Sequence, residues 1–170
     1  MPRFSPRRLH PADLVREALI AGLSSGLLSA LAVAWGSRAC GHRAVAGLNA
    51  PSHWLWGDEA LAASELDLRH TGVGVATHVA SALFWGGLYA LMRGWHRRPT
   101  PLNAATDAIT LTGVALVTDY LLVPKRLTPG FEAHLTPRRL GVVYLALSAG
   151  LVLGALGSER RPRSFPRSFD

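Results

Sequence analysis

Two ionisable side chains lie deep in apolar stretches of this chain. His78 falls within TGVGVATHVASALFWGGLYALM, residues 71–92, and Asp119 falls near the end of the run 102–123. A carboxylate at the centre of a membrane helix costs about 2.5–3.5 kcal/mol on insertion scales, so such groups face a bundle interior and find partners. At 1.5 Å per residue, His78 sits about 10 Å past Thr71 and Asp119 about 7.5 Å before Pro124. The matched depths predict a direct interaction between His78 and Asp119, a polar site able to hold a proton or a small ligand. Ser81, His53, Asp58 and Tyr120 are expected to belong to the same site. Lys125 and Arg126, at headgroup height in DYLLVPKRLTPGFE, are placed to hold an anionic ligand or lipid, or to snorkel and balance Asp119 or Glu132.

The same region suggests a metal site less strongly. His53, His78, Asp119, Glu132 and His134 are the side chains from which a metal-dependent membrane enzyme would draw its ligands. The chain has no HExxH, no HxxxH within a span and no close ligand pair besides Glu132 and His134, so neither a metal nor a cofactor is expected. Ser81 lacks the Gly-x-Ser-x-Gly setting of an activated serine. Asp107, near the start of its span, reads as structural.

Four long apolar elements must position these groups. The 170 residues are 49% hydrophobic and 17% charged, with a net charge of +7. The charges are segregated: residues 18–36 and 140–157 carry none, 71–92 only His78, and 102–123 only Asp107 and Asp119. Each run approaches the ~20 residues that cross a bilayer core, which excludes a soluble globule. An all-α, integral membrane four-helix bundle follows, with spans at about 16–37, 71–93, 104–123 and 138–157 in one domain, 1–157. The loop 38–70 is expected to carry a short interfacial helix at 57–66, capped by Asp58. Residues 158–170 are expected to form a basic disordered tail. One cysteine, Cys40, excludes a disulfide framework and any cysteine-based metal cluster.

Basic residues set the orientation. Eleven lie on the side of the termini and seven on the other, which puts both termini in the cytoplasm of a bacterial inner membrane. Trp35, Trp54, Trp56, Tyr120 and Tyr144 then fall at the outer boundary and Trp95 at the inner one, as headgroup anchors do. The basic termini are expected to attract anionic lipid headgroups, and no nucleic acid is expected as a partner. Thr71 is the expected cap of span two, Thr136 with Pro137 opens span four, and Pro124 ends span three. Gly22, Gly26, Ser25 and Ser29 in span one, and Ala146, Gly150 and Gly154 in span four, are small residues four apart. They favour close packing within the bundle, with a homo-oligomer through the same faces as the alternative.

Three blocks of residues resemble a group of small proteobacterial integral membrane proteins of unassigned function. They are Asn49-Ala50-Pro51-Ser52-His53-Trp54 with Gly57-Asp58, then Arg69-His70-Thr71 with His78, Ser81, Phe84 and Trp85, and last Asp119-Tyr120 through Pro124 with Arg126 to Glu132. The resemblance covers residues 14–157. A more distant similarity, in four spans and a Thr-His start followed by Ser, Phe and Tyr in span two, points to YagU-like inner-membrane proteins, with a spacing that differs by a residue. Neither resemblance carries a reaction. The expected function is therefore an inner-membrane protein with a buried His-Asp site, pH-responsive or binding a small ligand or lipid. A metal-dependent membrane enzyme and a small transporter or channel subunit are the alternatives.

Overall fold

A computed structural model of the chain describes residues 10–96 and 100–159, which are helical throughout their long elements and contain no strand. Four helices are long and apolar enough to cross a membrane, Pro11–Ala39, Leu68–Gly94, Pro101–Leu122 and Pro137–Ser158. The chain is a multi-pass membrane protein. Three of the helices run past their apolar runs, because helical hydrogen bonding continues into polar sequence until a breaker or cap intervenes, whereas the third stops at Leu122, ahead of Pro124. Pro11 and Pro101 occupy first turns, where the missing N–H costs nothing. Of the expected basic termini, residues 1–9 and 160–170 lie outside the described residues, whereas residues 158 and 159, expected to begin the disordered tail, continue the last helix.

Helix α1 (Pro11–Ala39) is the central strut. Short helices α2 (Ala44–Asn49), α3 (His53–Trp56) and α4 (Glu59–Ala62) follow, then α5 (Val73–Gly94), α6 (Pro101–Val117) and α7 (Pro137–Glu159). Single π-helical turns, Leu68–Gly72 and Thr118–Leu122, precede α5 and extend α6. Helix α1 packs closely against α5 on one side and α7 on the other, while α6 leans on α7 and less closely on α5.

The packing is inverted relative to a soluble bundle. Along α1, Val15, Leu19, Leu23, Leu27, Leu31 and Trp35 are exposed at every fourth position, whereas Ala21, Gly22, Ser25, Gly26 and Ser29 are buried. Large residues face lipid and small ones let helices meet. A Cβ on Gly86 would lie 2.6 Å from the Gly22 backbone, one on Gly150 2.3 Å from Ser25 Cα, and one on Gly154 2.5 Å from Ala21 Cα. Ser24 adds an interhelical hydrogen bond to the Gly150 carbonyl, 2.9 Å long. These small-residue faces are packed against one another within the chain.

At the end bearing the chain termini, the buried Arg93 guanidinium donates to Glu17 at 2.5 Å and lies over the Tyr89 ring. Tyr89 donates to the Ala104 carbonyl, and His96 pairs with Asp107 at 2.8 Å. Asp107 is structural, as expected, but its partner is a histidine rather than water or a helix dipole. Trp95 is exposed there, in the position of an anchor.

Candidate functional site

The opposite end is roofed by two loops that lock together. Asn49 is fully buried; its amide donates to the Ala63 and Glu65 carbonyls at 3.1 and 3.0 Å and its oxygen accepts from Thr71 Oγ1 at 2.7 Å. Thr71 therefore does not cap span two. Asp67 does, accepting from the His70 backbone N–H at 2.5 Å and from His70 Nδ1 at 2.8 Å, and the His70 side chain holds the Asp67 carboxyl below its ordinary range. Trp54 Nε1 donates to the Thr128 carbonyl at 2.8 Å, and Arg126 donates back to the Trp54 carbonyl at 3.2 Å. Thr128 Oγ1 donates to Glu132 at 2.7 Å. Gly130 makes the turn beneath, at φ +78°, with His53 against the space where a Cβ would stand.

Beneath this roof lies a cavity of about 400 Å³. Pro51, Trp54, Leu127, Pro129 and Phe131 form its ceiling; α5 contributes Thr77, His78, Ser81, Phe84 and Trp85, the π turn Asp119, and α7 Tyr144 and Leu147. Of the α5 residues in its wall, Ala80 and Phe84 are exposed on the helix surface. A second cavity, about 250 Å³, lies between α1 and α5, with His78 and Phe131 in the walls of both. Those two rings meet edge to face, 5.9 Å apart.

His78 and Asp119 face one cavity without bonding each other. His78 Nε2 is 3.1 Å from both Ser29 Oγ and the Gly26 carbonyl on α1. Ser29 gives its own proton to the Ser25 carbonyl at 2.7 Å, and Gly26 O only accepts, so Nε2 carries the hydrogen and Nδ1 keeps a lone pair. Asp119 Oδ2 instead accepts from Tyr144 on α7, at 2.6 Å. The direct pair expected from matched depth is corrected on this point: depth fixes position along an axis, and the rotation of each helix gave each group a different neighbour. Tyr144 lies about 10 Å into its helix from Pro137, the depth of the other two groups, and is a site residue in place of the headgroup anchor that its type suggests. It is buried, and Tyr120 packs beside it at 6.3 Å between ring centroids.

The remaining candidates divide. Ser81 lines the cavity. His53 is 4% exposed and belongs to the roof, its Nδ1 donating to the Ala50 carbonyl at 2.8 Å while Nε2 faces the Lys125 carbonyl at 3.5 Å. Asp58 is exposed, precedes α4 without a side-chain cap, and takes no part in the site. The interfacial helix expected at 57–66 shrinks to the four residues of α4, because the backbone of 63–65 is drawn onto Asn49. Lys125 and Arg126 are exposed on the roof's upper surface.

The metal alternative loses its geometry. His134 lies away from the others, edge to face with His42 at 5.1 Å, near the contact between Arg139 and Cys40. Neither His134 ring nitrogen has a hydrogen-bond partner of good geometry. Burial, then the neighbouring His42, hold its pKa below the ordinary histidine value, with the Leu61 carbonyl opposing. Among the described residues no three His, Cys, Asp or Glu side chains converge as metal ligands would. No protein family, curated protein or solved structure matches this chain.

Proposed function

We propose that this is a bacterial inner-membrane protein, termini in the cytoplasm, that binds a small amphipathic molecule in the cavity between α5 and α6. The carrying observation is a space of about 400 Å³ whose apolar wall holds Asp119, His78 and Ser81 together, with the exposed Ala80 and Phe84 of α5 at its edge. An apolar pocket with a few convergent polar groups is the usual form of a small-molecule site. The charge asymmetry supports the orientation, and the resemblance to small inner-membrane proteins supports the location. Toward the termini, Tyr89, Leu111, Ala115, Leu147 and Leu151 close the core with apolar side chains, which supports binding over conduction along the bundle.

Filling the cavity tests this. Protein purified in mild detergent should yield, on solvent extraction and mass spectrometry, an amphiphile near one per chain, and Ser81→Phe should lose it while keeping its helical circular dichroism. Identical extracts from both proteins would overturn the proposal.

A further inference from the structure

The wall chemistry narrows the ligand class, an inference that rests on the binding role just proposed. Asp119 presents a carboxylate to an apolar space with one oxygen engaged by the Tyr144 hydroxyl. Among the described residues no Lys, Arg or His forms an ion pair with it, and the charge within electrostatic reach is another carboxylate, Glu132. An ionised carboxylate removed from water needs a counter-charge, either a proton or a cation brought from outside. The surrounding surface is aromatic: Trp54, Phe84, Trp85, Phe131 and Tyr144 all line the same cavity. Ring faces attract cations, most strongly when water is excluded, and they accept the greasy substituents of an organic ammonium equally well.

Ring positions are held rather than free. Trp54 is tied by its N–H to the Thr128 carbonyl, Phe84 and Trp85 pack edge to face at 5.1 Å, and Tyr144 is fixed by Asp119 itself. Fixed rings lose little freedom on binding. Lys125 and Arg126 are exposed and do not line the cavity, so neither serves as the resident counter-charge of Asp119.

We infer that the cavity is a site for a lipophilic organic cation, an alkyl or aryl ammonium, with Asp119 as counter-ion and the aromatic wall around its substituents. Benzyltrimethylammonium and its uncharged carbon isostere neopentylbenzene are the probes, titrated against the full chain in lipid nanodiscs, with tryptophan fluorescence as readout because Trp54 and Trp85 line the site. The cation should bind roughly tenfold or more tightly than the isostere, and Asp119→Asn should erase that preference while Asp119→Glu keeps it. Comparing the two probes on the unaltered protein needs no variant to fold. Equal binding of both probes would overturn the cation inference and leave the amphiphile-binding role standing. Saturable binding of neither would overturn both.

Discussion

Asp119 spends one oxygen on Tyr144 at 2.6 Å, whereas His78 is bonded 3.1 Å away to a different helix. Groups in contact couple by about 0.5–3 kcal/mol in double-mutant cycles, while groups without shared partners add within about 0.5 kcal/mol. Asp119→Asn combined with Tyr144→Phe should therefore be clearly non-additive in thermal unfolding, and Asp119→Asn combined with His78→Ala, which share a cavity wall but no hydrogen bond, should couple less. A large coupling in the second cycle would restore the direct pair. At His134 the prediction concerns pH. Its folded pKa lies below its ordinary value of about 6.5, so as pH falls through that value the unfolded chain takes up a proton that the folded chain refuses. Stability should drop on the acid side of about 6.5, and His134→Phe should flatten that part of the Tm against pH curve. The residue types of His78, Asp119 and Ser81 announced a polar site, and all three do line one cavity. Their partners were not readable, because Ser29 and Tyr144 are unremarkable residues until helix rotation brings them opposite.

At the level of elements, the four spans were readable from charge-free length, since a bilayer demands about 20 apolar residues and satisfied backbone groups. The faces of α1 and α7 were readable too, from small residues four apart. Close approach makes those positions intolerant. Gly86→Ala and Gly150→Ala should each cost about 1–3 kcal/mol or more, since the added Cβ meets backbone and not a movable side chain. Gly113→Ala and Gly141→Ala open onto empty space and should be neutral or gain up to about 1 kcal/mol from helix propensity. Unfolding in mixed micelles would separate the two sets; equal losses in all four would show that crowding at the crossings is not what limits stability. The loop 38–70 was less readable. Its helices α2 and α3 are four to six residues long, too short to carry a periodic signature, and Asn49 organises them through bonds to residues 14 to 22 positions away.

For the whole molecule, the proposed orientation, with the termini in the cytoplasm, would put Cys40, at the far end of α1 and half-buried beside Arg139, on the outer side. A membrane-impermeant maleimide should label Cys40 in spheroplasts and spare it in sealed inverted vesicles; the opposite pattern would reverse the topology. The sequence by itself determined that this chain spans a bilayer four times, where each span begins and ends within a few residues, and which side chains are too costly to face lipid. Those properties follow from one-dimensional quantities, namely length, charge and depth along a helix axis. The tertiary structure decided the rest: that two distant loops lock through Trp54 and Thr128 into a roof, that α5 and α6 stand apart enough to leave a cavity, and that Asp119 faces that cavity with Tyr144 rather than His78 as its partner. Which neighbour the rotation of α5 and of the end of α6 gives His78 and Asp119, and the spacing between helices, are set by how every face packs at once, and no local pattern around those two residues encodes them.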